Sequence, residues 1–130
     1  MSIDSIGNFL TIIKNGVLTS KPFVVAPHSK INYAIAQILK SEGFISNAEE
    51  IQDDGQKKIK IILKYVDGES VIHEIKRISK LSRRSYAGVH EIRPVIGGLG
   101  LSIISTNRGV ISHKKAKELG VGGEVICTVW

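Results

Sequence analysis

Apolar positions along this 130-residue chain change their spacing several times, and each change marks an element. From Asp4 to about Asn15, the residues Ile6, Phe9, Leu10 and Ile13, followed by Val17, recur at helical spacing. Asp4 is placed to cap this helix and Gly16 to stop it. Phe23-Val24-Val25, held between Pro22 and Pro27, suits an edge strand, because proline has no N–H for a second neighbour. Ile31, Ala34, Ile35, Ile38 and Leu39 form a second helical stripe. Ser29 is its cap, Gly43 its end, and Lys30, Gln37 and Lys40 lie on the opposite face. The pattern turns strand-like from Phe44 to Ile51, and after Asp53-Asp54-Gly55 it alternates from Lys58 to Val66.

Asp67-Gly68 is a further turn, and the charge balance changes beside it. Residues 1–70 hold eight Lys/Arg against eight Asp/Glu, whereas residues 71–130 hold ten against four, so the whole net charge of +6 lies in the second half. These signals place a boundary between a domain of residues 1–68 and one of residues 69–130. Beyond it, Val71 to Ile78 fits a strand, although Ile72, Ile75 and Ile78 would also share a helix face. Glu91 to Val95 fits one helical turn. Leu101 to Ser105 and Val125 to Trp130 read as strands, with a helix between them from Ser112 as cap to Leu119 and Gly120 as its stop. The expected class is α+β, two small α/β domains packed together. The first has two helices and three strands, and the second is mostly β with a short helix.

The chemistry of an enzyme is hard to assemble from these residues. His28, His73, His90 and His113 are scattered, and the single Cys127 completes no zinc-binding spacing with them, so neither a metal nor a cofactor is expected. The clusters Gly97-Gly98-Leu99-Gly100 and Gly120-Val121-Gly122-Gly123 lead into strands, where a phosphate cradle would lead into a helix. A nucleophilic Cys127 paired with a histidine is the enzymatic alternative, set against the usual structural role of a cysteine in an apolar strand. One cysteine forms no intramolecular disulfide, and no apolar run approaches membrane-spanning length. The expectation is a soluble, intracellular protein with no membrane partner.

Positive chemistry concentrates in the second half. Between Lys76 and Arg84 five of nine residues are basic (Lys76, Arg77, Lys80, Arg83, Arg84), none is acidic, and Tyr86 follows at once. Arginines with interleaved serines and an aromatic can hold a phosphate backbone while the ring stacks on a base. The alternative is a charged edge strand with Tyr86 in the core. Ser105-Thr106-Asn107-Arg108-Gly109 is a turn of short hydroxyl and amide side chains, suited to the shallow groove and ribose hydroxyls of RNA, or else an ordinary tight turn. Lys114, Lys115 and Lys117 form a second basic patch.

The segment IISTNRGVISHKKAKELGVGGEVICTVW resembles the C-terminal signature of the family of the eighth protein of the bacterial-type small ribosomal subunit: Ser-Thr-Ser-x-Gly, a short helix, then Gly-Gly-Glu-aliphatic-aliphatic-Cys-x-x-Trp. Asp4 to Asn15 is similar to the family's first helix. Pro27-His28-Ser29-Lys30 resembles its Pro-x-Ser-Lys, Glu42-Gly43-Phe44-Ile45 its Glu-Gly-aromatic-Ile, and Arg77 to Tyr86 its basic segment. Asn107 stands where the family usually has serine, Leu81-Ser82 where it has Pro-Gly, His113 where it has an acid, Thr128 where it has an aromatic, and Ile12 where arginine is common.

The resemblance implies a non-enzymatic, primary rRNA-binding protein that binds the central domain of small-subunit rRNA, aids assembly and stays as a structural constituent. Its implied partners are that rRNA and neighbouring small-subunit proteins, with the free protein a monomer on cytoplasmic ribosomes; an organellar ribosome is the alternative setting. Family binding positions fall on Ser105, Thr106 and Asn107, on Tyr86 and on Glu124. Gly109 of the same loop, Arg83 and Arg84 of the basic segment, and Lys30 complete the expected RNA-binding set. A general RNA-binding or RNA-chaperone module outside the ribosome is the rival function.

Overall fold

A computed structural model describes residues 5–80, 83–88 and 100–130. The expected Asp4 cap, the Glu91–Val95 turn, the Leu81-Ser82 pair and most of the Gly97–Gly100 cluster lie outside the described residues. The chain divides into two compact units, one reaching to His73 and the other starting at Glu74.

In the first unit the order is α1 (Ser5–Leu18), β1 (Phe23–Pro27), α2 (Lys30–Ser41), β2 (Ile45–Asp53), β3 (Gln56–Leu63), β4 (Tyr65–Val66) and β5 (Glu69–Ser70). The first three strands form an antiparallel sheet in the order β1-β3-β2, so the proline-bounded strand does take an edge. Phe9, Ile13, Ile35, Leu39, Ile59 and Ile61 are buried from solvent. The Ser29 hydroxyl accepts from the Asn32 N–H at 3.0 Å and starts α2. At the other end Phe44 N–H donates to the Leu39 carbonyl and Gly43 N–H to that of Lys40, with Gly43 at φ +82°. This paired closure needs a left-handed residue, which glycine adopts without strain.

Asp54-Gly55 and Asp67-Gly68 are two-residue hairpin turns with positive φ at both positions, 54° and 76° in the first and 52° and 81° in the second. That geometry matches the twist of the flanking strands, which explains the Asp-Gly pairs. The strand expected from Lys58 to Val66 is broken at Lys64, and its last residues belong to the separate β4–β5 hairpin.

Gly16 does not stop α1. The helix runs through it to Leu18, and a methyl group added there would collide with the Val24 Cγ1 methyl and stand 3.2 Å from Leu63 Cδ1. At this glycine α1 lies close against β1 and β3. Gly16→Ala sets a helix-propensity gain of about 1 kcal/mol against overpacking of about 1–3 kcal/mol. Val24 is β-branched and stiff, so the clash should prevail. A lowered midpoint in urea titration is expected, and a raised one would show that the interface yields.

The second unit contains β6 (Ile75–Arg77), β7 (Tyr86–Ala87), β8 (Leu101–Thr106), β9 (Gly109–Ser112), α3 (His113–Leu119) and β10 (Gly123–Val129). Its sheet runs β6-β10-β8-β9, and β7 also pairs with β10. Only Ile75–Arg77 of the expected Val71–Ile78 strand is extended in the sheet, and β9 replaces what the sequence suggested was loop. Strand β10 carries a bulge between Val125 and Cys127. Ser112 caps α3 by accepting from the Lys115 N–H at 3.2 Å, and Gly120, at φ +70°, closes it. His113 is buried, and its Nδ1 accepts from the Ser102 N–H at 3.1 Å. This residue, one of several that depart from the family pattern, is thus a bracing group between α3 and β8.

Candidate nucleic-acid interface

Strand pairing aligns the predicted residues in one row. Glu124 on β10 is the cross-strand partner of Tyr86 on β7 and of Ser105 on β8, and Ser105 in turn pairs with Val110 on β9. Directly paired residues project from the same face of a sheet, so Tyr86, Glu124 and Ser105 stand side by side. Tyr86 is 69% exposed, which removes the alternative that its ring fills the core. The Ser105 hydroxyl is half-buried and makes no hydrogen bond with the described residues.

Beside the row, Thr106 pairs with Gly109, leaving only Asn107 and Arg108 as the turn. Ser105 and Thr106 are therefore strand residues, not loop residues. The Thr106 hydroxyl donates to the Gly109 carbonyl at 2.9 Å and accepts from the Arg108 N–H at 3.0 Å, so it is occupied in shaping the turn. Gly109, at φ +101°, supplies the left-handed residue that this turn requires. Asn107 and Arg108 are exposed at its tip. Arg108 was not among the residues expected to bind, although its position in the turn gave the signal.

The basic segment folds against the same strand. Lys80 and Arg83 exchange two backbone hydrogen bonds of 2.8 and 3.1 Å, which reverses the chain, and Ser85 O accepts from the Val125 N–H at 2.9 Å. Arg84 Nη1 lies 2.8 Å from Glu124 Oε2, and the buried Ser79 hydroxyl donates to the same oxygen. Burial of the Glu124 carboxyl opposes its ionisation, but the Ser79 hydroxyl and Arg84 outweigh it, with Arg77 adding to the field, and hold the group below the usual carboxylate range. The stabilisation carried by this carboxylate is complete above its unfolded-state value and is lost as pH falls through the lower folded value.

The glycines ahead of Glu124 complete the arrangement. A Cβ on Gly122 would meet the Ala87 carbonyl and lie 2.7 Å from Gly88 Cα, and one on Gly123 would meet the Ser105 carbonyl, 2.9 Å from its carbon. Both neighbouring strands reach β10 only because these two positions lack side chains. The structure thus brings Ser105, Thr106, Asn107, Gly109, Tyr86, Arg83, Arg84 and Glu124 into one region, while Lys30 stands in the first unit, exposed at the start of α2. Ser79 was passed over as one serine of a basic tract, since its partner Glu124 is 45 positions away.

The Cys127 thiol is fully buried, and that burial pushes it up to about 12 against a smaller opposing effect of Arg77. A thiol so held is not a nucleophile at neutral pH. Among the described residues no cluster of three or more His, Cys, Asp or Glu could hold a metal ion, and no helix is long and apolar enough to cross a membrane.

An antiparallel sheet that offers hydroxyl, carboxylate and aromatic groups beside arginines presents the kinds of group that nucleic-acid-facing scaffolds use. Residues 4–130 match the family model for ribosomal protein S8. Among curated relatives, small ribosomal subunit protein uS8 of Xylella fastidiosa (strain M23) is 48% identical over 127 residues, covering 97% of this chain and 96% of the relative. The protein of the same name from Marinobacter nauticus is 43% identical, with 98% and 97% covered, and that from Methylococcus capsulatus is 40% identical, with 97% and 96% covered. The chain belongs to the ribosomal protein S8 family, whose members are structural and non-enzymatic components of the ribosome.

Proposed function

We propose that this chain is a structural constituent of the cytoplasmic small ribosomal subunit and a primary binder of the central domain of its rRNA, aiding assembly among neighbouring small-subunit proteins. The observation that carries the reading is the row Tyr86–Glu124–Ser105, flanked by the Asn107-Arg108 turn and by Arg83 and Arg84. In it a ring free to stack, an unengaged hydroxyl and a fixed carboxylate lie on one sheet face. Arginines beside them supply salt-dependent phosphate contacts, and short side chains reach base edges or ribose hydroxyls. Names of relatives across nearly the whole chain support the ribosomal setting. Lys30 contributes a phosphate contact from the first unit, and the free protein is a monomer.

Purified protein titrated against a central-domain transcript, a matched random RNA and duplex DNA at two salt concentrations tests this reading. The expected result is a preference for the transcript that survives the higher salt. In Ser105→Ala/Thr106→Ala the preference should fall roughly tenfold or more, as the loss of one or two hydrogen bonds would give. Equal binding to all three polymers, erased by salt, would leave only a basic surface. It would favour the general RNA-binding alternative outside the ribosome.

A further inference from the structure

The least accessible polar group near the interface is also the one that joins its two halves. Ser79 is 1% exposed, so no nucleic acid reaches its side chain. Its hydroxyl donates to Glu124 Oε2 and accepts from the Ser85 N–H at 3.2 Å, while its backbone N–H donates to the Val125 carbonyl at 3.1 Å and its carbonyl accepts from Arg77 Nε. Through one residue, the chain on both sides of the Lys80–Arg83 reversal is tied to the strand that carries Glu124.

We infer that Ser79 is a positioning residue for RNA recognition: its hydroxyl sets the Glu124 carboxylate and the Arg84–Tyr86 segment in one fixed relation, without touching the RNA. The inference rests on the RNA-binding reading above. Without the hydroxyl, Glu124 Oε2 keeps only Arg84, whose guanidinium is half-exposed and on a flexible stem, and the Ser85 N–H loses its acceptor. The Glu124 carboxylate would then be less firmly set, and Tyr86, one residue beyond Ser85, would be held to β10 only by the Ser85 carbonyl and its own pairing with Glu124. Affinity from charge would persist while discrimination fell.

Among the described residues, the charged and titratable groups around Glu124 are Arg84 ahead of β7, Tyr86 on β7 and Arg77 on β6, while its β8 neighbour Ser105 carries no charge. Loss of the Ser79 hydrogen bond removes one of the supports that keep Glu124 ionised, so its titration should move upward in pH.

Wild type, Ser79→Ala, Ser79→Thr and, as a destabilised control elsewhere on β10, Val129→Ala should be titrated with the central-domain transcript and random RNA across salt and pH. In Ser79→Ala the preference should fall about tenfold with an unchanged slope of log affinity against log salt, since no phosphate contact is lost. The preference should also fade at a higher pH on acidification than in wild type, and Ser79→Thr should restore both properties. A Ser79→Ala protein with wild-type preference and pH profile overturns the inference, as does a Val129→Ala protein that reproduces its changes. A reduced salt slope overturns it too, because it would make Ser79 a contact. A wild type without preference overturns instead the RNA-binding reading on which the inference stands.

Discussion

Gly123→Ala should abolish the preference for the central-domain transcript while costing only about 1–3 kcal/mol of stability. The added methyl would overlap the Ser105 carbonyl, a backbone atom that no rotamer change can move aside. Because Gly123 is the first residue of β10, the cheapest relief is for the strand end to peel back and the rest of the ladder to hold. Peeling separates Glu124 from both Ser105 and Tyr86, the alignment on which the proposed recognition rests. Losing two or three fixed contacts at about 1 kcal/mol each amounts to roughly a hundredfold in affinity. Equilibrium binding gives one number and urea titration followed by Trp130 fluorescence the other. A variant that melts early but still discriminates would show that the row is not the recognition element.

Phe9→Ala should produce the largest loss of stability, about 3–5 kcal/mol. Phe9 is fully buried on α1, which packs against β1, α2 and β3, so truncation opens a cavity that the sheet cannot collapse to fill. A fall of more than roughly 10 °C in Tm follows from that magnitude. Circular dichroism of the helical signal measures it. A change of only a few degrees would mean that α1 can shift inward, contrary to the close fit at Gly16.

What the sequence disclosed, it disclosed through local rules. Ser29 and Ser112 announced their helices because a cap bonds three residues ahead, and Asp54-Gly55 and Asp67-Gly68 announced hairpins because few residue pairs accept two left-handed positions. Gly16 misled because the same residue type ends helices and permits close packing, and the difference lies in how the following strand folds Val24 back onto the helix. Strand β9 went unseen because four residues are too few to show alternation. In the candidate site, residue types and the family pattern pointed to Ser105, Asn107, Tyr86 and Glu124. That Thr106 is occupied by its own turn, and that Ser79 joins the basic segment to Glu124, depended on pairings the chain order does not display.

The bulge in β10 decides which way the site looks. Glu124 pairs with Ser105, and Cys127 pairs with Ile103, which lies two residues from Ser105 and on the same face of β8. Glu124 and Cys127 are three positions apart, an odd number that would set them on opposite faces of a regular strand. The extra residue at the bulge restores their parity, so one face of the sheet carries a polar row at one end and buried packing at the other. Adding one residue between Glu124 and Cys127 would keep every side chain and still turn the carboxylate toward the face opposite Tyr86 and Ser105. Length, in this short stretch, is as much a part of the recognition surface as chemistry.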